Sequence, residues 1–223
     1  LRDGAFRSLH RRRLLHTGLP RVGVAAAAAG RWEVTQLNVY LCGVGGQGIG
    51  LLSEVLGRAC LAAGHTARGC DTHGLAQRGG IVVSHLRIGP DVFSPLIAPG
   101  NADLVVALER CEALRAISEM LKPGGTLVVY NTLWQPLPVR LGGADSVSLD
   151  DIHQAAEKRG IAVVVVQCPD LEETRMQNTA VLARLSKDQL IPGIDAAHYR
   201  QGMADLMRGE VLTANLLLFD QGC

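Results

Sequence analysis

The segment Leu37-Asn38-Val39-Tyr40-Leu41-Cys42-Gly43-Val44-Gly45-Gly46-Gln47-Gly48-Ile49 changes its period halfway along. Residues 37–42 form a short β-rich run that ends in a cluster of glycines. From Ile49 the apolar residues recur at helical spacing. Ile49, Leu52, Val55, Leu56, Ala59, Cys60 and Ala63 share one face, and Gly64 supplies a stop. A strand, a glycine turn and a helix in that order open an α/β unit.

The same alternation continues downstream. Residues 102–108 are a continuous apolar strand and residues 111–121 a helix, after which Pro123-Gly124-Gly125 turns the chain into a strand at 126–130. Ser148 with Asp151 forms a capping box for a helix through Arg159, and Gly160 ends it. Residues 161–166 are the most β-branched run. Strands apolar on both faces, separated by helices, predict a three-layer, Rossmann-like α/β fold with a mostly parallel sheet. One region breaks the rhythm: residues 81–88 and 92–97, joined by Gly89-Pro90-Asp91, predict a hairpin or antiparallel excursion. The stretch from Leu171 onward is mainly helical, with apolar stripes at Val181, Leu182, Leu185 and at Leu212, Leu216, Phe219.

Upstream the character changes. Residues 1–36 carry seven Arg (Arg2, Arg7, Arg11, Arg12, Arg13, Arg21, Arg31) against Asp3 and Glu33, together with the Ala25–Ala29 tract. They read as a disordered extension or translated upstream sequence, with an Arg-rich targeting peptide as the other reading. Residues 37–223 are expected to form a single domain. With 48% hydrophobic and 19% charged residues the chain has material for a packed core. The body left after removing the basic extension is mildly acidic and offers no footprint for nucleic acid. No apolar run is long enough to predict a membrane span. The six cysteines are scattered without any C-x-x-C, so local spacing supports neither zinc nor an iron–sulfur cluster. Most sit in apolar runs and read as small buried hydrophobes of a reducing compartment, which places the protein in the cytoplasm.

Two segments carry candidate chemistry. Gly43-x-Gly45-x-x-Gly48, between a strand and a helix, suits a phosphate or pyrophosphate: glycines permit positive φ and close approach of backbone N–H groups, and the helix N-terminus attracts an anion. The alternative is a tight turn with no ligand. Asp71 lies where a dinucleotide-binding fold places its ribose-binding acid, which would suggest a self-sufficient NAD-dependent dehydrogenase. Leu121-Lys122-Pro123-Gly124-Gly125 is a turn also met in methyltransferases. The second segment is Asp71-Thr72-His73-Gly74-Leu75-Ala76-Gln77-Arg78-Gly79-Gly80. So polar a loop is costly to order unless it binds something, and His73, Gln77 and Arg78 offer a titratable ring, an amide and a fixed cation for anionic groups. A solvated surface loop is the alternative.

The motifs Gly43-Val44-Gly45-Gly46-Gln47-Gly48, His73-Gly74-Leu75-Ala76-Gln77-Arg78-Gly79-Gly80, Ser84-His85-Leu86-Arg87-Ile88-Gly89, Ser94-Pro95-Leu96-Ile97 and Glu112-Ala113-Leu114-Arg115 stand in a family's order. Over residues 38–222 the chain resembles the gamma-type subunits of 2-oxoacid:ferredoxin oxidoreductases, the indolepyruvate-specific branch most closely. Where that family often has Glu-Pro, this chain has Glu109-Arg110-Cys111, a departure expected to alter a helix start. The resemblance implies oxidative decarboxylation of an arylpyruvate such as indolepyruvate to the acyl-CoA. It implies coenzyme A as co-substrate, with thiamine diphosphate and 4Fe–4S clusters on a larger partner subunit and ferredoxin as electron acceptor. It also implies that Gly43, Gly45, Gly46, Gln47 and Gly48 hold the coenzyme A phosphates, that His73, Gln77 and Arg78 serve the active site, and that the chain is inactive alone. Arg87 is a weaker candidate, and His85 reads as a packing residue. A third possibility is a nucleotide-binding scaffold subunit without a direct part in turnover.

Overall fold

Strand β1 (Leu37–Val44) leads through the glycine turn into helix α1 (Ile49–Ala62), as the change of period requires. In this computed structural model the described residues are 36–72, 80–133, 146–169, 171 and 176–222. They all fall within one compact unit, Trp32–Cys223. The residue 1–36 extension, apart from Gln36, therefore lies outside the described residues, as do His73, Gln77 and Arg78. The further elements are β2 (Ala67–Thr72), β3 (Ile81–Ile88), β4 (Ala102–Ala107), α2 (Arg110–Glu119), β5 (Leu121–Tyr130), α3 (Leu149–Glu157), β6 (Ala162–Val166), α4 (Gln177–Lys187), α5 (Ala196–Leu206) and α6 (Gly209–Gln221).

The six strands form one sheet in the order β2-β3-β1-β4-β5-β6. Strands β1, β4, β5 and β6 pair in parallel, whereas β3 runs antiparallel to both β1 and β2. Helix α1 packs on one face with α4, α5 and α6, and α2 and α3 cover the other, giving two apolar layers. On the first face Leu52, Val55, Leu56, Ala59 and Cys60 of α1 are fully buried. Each large aliphatic side chain so buried contributes about 1.5–3 kcal/mol, an upper figure because the unfolded chain is itself partly collapsed. At the other end of α1, Gly64 at φ 80° follows the cap, the Gly64 N–H reaches Leu61 O, and the His65 N–H reaches Cys60 O. This closes the last turn and satisfies its carbonyls. The expected capping box is present: Ser148 accepts from the Asp151 N–H, and Asp151 accepts from the Ser148 N–H at 2.8 Å.

The excursion is antiparallel, but its partners differ from the expected hairpin. Strand β3 pairs with β2, and residues 92–97 form no strand. Pro95 has no N–H to give to a ladder, and side chains hold the segment instead. Arg68 Nε donates to Val92 O (2.6 Å), Arg87 Nη1 donates to Ser94 O (2.8 Å), and His85 Nδ1 accepts from the Ile97 N–H (3.2 Å). Arg87 is thus engaged as a staple, and His85 packs edge-on against Tyr40 with 5.1 Å between ring centroids. Burial lowers the His85 pKa, consistent with a ring that accepts a hydrogen bond at Nδ1. Cys42 and Cys60 are buried free thiols, as the apolar context suggested; Cys168 departs from that reading, being half-buried and disulfide-bonded.

Candidate functional site

Helix α1 leaves β1 toward one face of the sheet and α2 leaves β4 toward the other, so the order reverses between two adjacent parallel strands. Crevices of this kind, beyond the carboxyl ends of the strands, are where open α/β sheets bind ligands. The turn Gly43–Gly48 occupies this position. Gly46 has φ 103° and Gly48 φ 78°, conformations that L side chains rarely adopt. A Cβ at Gly46 would meet nothing within 4 Å, so the space before the turn is open; one at Gly48 would lie 2.6 Å from Asn178 Nδ2.

The Gln47 side chain is buried at 2% exposure and points inward. Its Oε1 accepts from the Val44 N–H at 2.7 Å, and its Nε2 donates to Leu108 O at 2.8 Å, strapping the turn to the end of β4. Two backbone donors are also used internally: the Gly45 N–H bonds Gly80 O at 2.8 Å, and the Gln47 N–H bonds Val44 O at 3.0 Å. The N–H groups of Gly46, Gly48, Ile49, Gly50 and Leu51 make no hydrogen bond among the described residues, and Leu52 is the first of α1 to bond back, to Gly48 O. Helix α1 has neither a side-chain cap nor an acid in its first turn. Five such donors at a helix N-terminus have the chemistry to hold an anion. Of the five residues singled out from the sequence, Gly46 and Gly48 carry free donors. Gly43 serves by lacking a side chain, since a Cβ there would stand 2.8 Å from Gln47 Oε1.

Asp71, at the end of β2, accepts from Ser84 Oγ at 2.6 Å and flanks the first turn of α1, 3.3 Å from where a Gly50 Cβ would stand. An open cavity of about 510 Å³ continues from there along α1, lined by Gly57, Gly69 and Leu86 and edged by Glu54 and Arg58. Strand β3 lies between β1 and β2, so Asp71 is not on the strand next to β1, where a ribose-binding acid belongs. His73, Gln77 and Arg78 fall outside the described residues, but their neighbours do not: Asp71 and Thr72 end β2, and the Gly80 carbonyl accepts from the Gly45 N–H.

At the neighbouring strand end Glu109 is fully buried and caps α2, accepting from the Cys111 and Glu112 N–H groups, each at 3.0 Å. The Arg110 N–H donates to Thr132 O at 3.1 Å and its Nε to Asn131 Oδ1 at 2.8 Å. A proline at position 110 would lack that first bond, so the departure noted in the sequence is structurally used here. Burial, reinforced by Glu109, pushes the Cys111 thiol up to about 11, and burial raises Cys42 well above the usual range. Neither thiol is a nucleophile at neutral pH. Two further residues, Gln177 and Asn178 at the start of α4, touch the turn. Sequence reasoning passed over them, because two amides at the head of a distant helix carry no local signal.

Residues 38–223 match the family described as pyruvate ferredoxin/flavodoxin oxidoreductase. The chain is 36% identical over 193 residues to indolepyruvate oxidoreductase subunit IorB of Archaeoglobus fulgidus, covering 84% of this chain and 94% of that protein. It is 37% identical over 123 residues to the subunit of the same name from Pyrococcus horikoshii, covering 55% of this chain and 60% of that one. Among solved structures it resembles a 2-oxoglutarate:ferredoxin oxidoreductase from Magnetococcus marinus, with TM-score 0.63 and 21% identity over 85% of this chain but 31% of that one. It also resembles the pyruvate oxidoreductase subunit PORC from Thermotoga maritima, with TM-score 0.56 and 21% identity over 84% of this chain and 95% of that one. The sheet order, the glycine turn at its switch point and the match across residues 38–223 agree: the chain belongs to the pyruvate ferredoxin/flavodoxin oxidoreductase family.

Proposed function

We propose that this chain is the subunit of a cytoplasmic, thiamine diphosphate-dependent 2-oxoacid:ferredoxin oxidoreductase that holds coenzyme A and completes the active site of its partner. The substrate class is an arylpyruvate such as indolepyruvate, decarboxylated oxidatively to the acyl-CoA, with ferredoxin taking the electrons. The observation that carries the ligand assignment is the set of N–H groups of Gly46, Gly48, Ile49, Gly50 and Leu51, which make no hydrogen bond among the described residues and lie on the turn at the switch point of the sheet. Coenzyme A, when bound, supplies the thiol that accepts the acyl group. Its pyrophosphate fits donors of this kind, and the open cavity along α1 can receive more of its length. Gln47 and Gly43 keep the turn in shape, and Gly46 leaves space for the anion.

This chain's own residues do not suit the other cofactors. Its free described cysteines, Cys42, Cys60, Cys70 and Cys111, are scattered, and no group of three or more His, Cys, Asp or Glu converges among the described residues. The proposal therefore assigns thiamine diphosphate and the 4Fe–4S clusters to the larger partner subunit, without which this chain is inactive. The described residues on either side of the segment that carries His73, Gln77 and Arg78, Asp71 and Gly80, flank the turn, which supports a role for the three beside the partner's thiamine site. The position of Asp71, one strand removed from β1, disfavours the NAD-dependent dehydrogenase.

Two experiments test the proposal. Gly46→Val puts a branched side chain into the open space before the turn. Coenzyme A affinity, measured by titration calorimetry on the purified chain, should fall at least about tenfold. The positive φ adds a folding cost of about 1–2 kcal/mol. Unchanged affinity in the folded variant would reduce the turn to a structural element. Arg78→Ala should leave the melting temperature nearly unchanged and lower turnover of the complex reconstituted with its partner by at least about tenfold, or about 1.4 kcal/mol. Full activity would make Arg78 a solvated surface residue.

A further inference from the structure

Helices α2, α3 and α5 begin with side-chain caps from Glu109, Ser148 and Asp195, and α6 has Glu210 in its first turn. Helices α1 and α4 begin with neither a side-chain cap nor an acid, and these two N-termini meet. Asn178 Nδ2 donates to Gly48 O at 3.0 Å, and Gln177 Nε2 lies 3.5 Å from Gln47 O. Both side chains are more than nine-tenths buried, at 5% and 1% exposure. Their other amide atoms, Asn178 Oδ1 and Gln177 Oε1, are buried with no hydrogen-bond partner among the described residues. Exchanging nitrogen and oxygen would not help, because an amide oxygen cannot donate to the carbonyls of Gln47 and Gly48. The fold thus tolerates two buried acceptors without donors, each a cost to stability, while both nitrogens stay on the turn.

The direction of these contacts gives them a use. In a planar trans peptide the carbonyl of one residue and the N–H of the next point opposite ways. Drawing Gln47 O and Gly48 O toward α4 therefore turns the Gly48 and Ile49 N–H groups away from it. Those are two of the donors without an acceptor among the described residues. On the β2 side of the same turn, Asp71 already stands beside Gly50, which disfavours the charged diphosphate on that flank and leaves the cavity there to the uncharged part of the ligand.

We infer that Gln177 and Asn178 are positioning residues of the anion site: they aim the Gly48 and Ile49 N–H groups at a diphosphate-class ligand while keeping two uncapped helix N-termini together. This rests on the reading of the glycine turn as a phosphate site. The test uses the purified full chain with inorganic pyrophosphate and coenzyme A as probes in titration calorimetry, and with thermal unfolding as the second readout. Asn178→Leu and Gln177→Leu have similar volume and remove the orphaned acceptor together with the donor. Each should weaken both probes at least about tenfold, with the melting temperature held or raised. A residue that merely packed would not separate binding from stability in this way. Should either variant unfold, Asn178→Asp and Gln177→Glu replace it; these keep the shape, can still donate to the carbonyls while protonated but not as carboxylates, and should lose binding of both anions progressively as the pH rises above the ordinary carboxylate range.

Parent-like affinity in the Asn178 and Gln177 variants, with Gly46→Val still defective, would overturn the positioning role and leave the phosphate site standing. Affinity that falls only in step with the melting temperature would also overturn it. A parent chain that binds neither pyrophosphate nor coenzyme A would overturn both readings.

Discussion

Gly202→Ala should destabilise the protein by at least about 3 kcal/mol, although helix propensity alone predicts a gain of about 1 kcal/mol from replacing a helical glycine with alanine. The sign is decided by the crossing of α5 over α1. A Cβ on Gly202 would stand 2.6 Å from Val55 O, 3.2 Å from Ala59 N and 3.4 Å from Arg58 Cβ. The first two are backbone atoms in the middle of a helix, so no rotamer change relieves them, and the helices must part. Around the crossing lie Val55, Ala59, Tyr199 and Met203, all fully buried, so separation opens voids in the larger core layer. Tyr199 is the largest of these, and its ring packs against Phe219 with centroids 6.0 Å apart. At about 2–4 °C per kcal/mol for a domain of this size, the melting temperature should fall by about 10 °C. Because α1 carries the proposed anion site at its other end, coenzyme A affinity should fall as well. A stabilised Gly202→Ala protein would mean that the two helices pack more loosely than the structure shows.

The crossing also marks where sequence reading stops. Residues 37–64 announced strand, turn and helix because their apolar period changes once and glycines punctuate it. The β-branched run that became β6 and the capping box at Ser148 were equally legible, since each is a local pattern. Strand β2 was not. Its sequence Ala-Arg-Gly-Cys-Asp-Thr has little β propensity, and it is a strand because β3 offers it an edge. The 92–97 segment failed in the opposite sense: its residues look extended, but the sheet edge beside β3 was taken by β2, and Arg68 and Arg87 claimed its carbonyls. For the site, the glycine spacing located the strand–helix turn at the switch point of the sheet. Which N–H groups are free depended on Gly80 and Val44, and what steers them came from Gln177 and Asn178, 130 residues away. Long-range hydrogen bonds of this kind leave no periodic trace.

Gln47 is the residue on which the turn and the sheet depend together, and Gln47→Leu should damage both stability and binding. Leucine fills nearly the same volume, so the loss is polar. The Val44 N–H would lose the acceptor now 2.7 Å away, and Leu108 O would lose the donor at 2.8 Å. Both lie where water has little access, since Gln47, Val44 and Leu108 are all buried. Two buried backbone groups left unpaired cost about 1–3 kcal/mol each, so urea unfolding should show a loss of about 2–6 kcal/mol. Coenzyme A binding should also fall at least about tenfold, because the turn is no longer tied to the end of β4 and its N–H groups lose their common direction. Gln47→Glu sharpens the test. A protonated carboxyl can accept from Val44 and donate to Leu108, whereas a buried carboxylate can only accept and carries an uncompensated charge. The folded state therefore holds that proton more tightly than the unfolded chain does, and the folded-state pKa is raised. Stability should be close to the parent's below the ordinary glutamate pKa and should be lost progressively as pH rises through and above it. Unfolding curves for Gln47→Glu and the parent, compared across that range, read the difference directly. A Gln47→Glu protein whose deficit does not grow with pH would show that the Leu108 bond contributes little, and that the turn is held by its glycines alone.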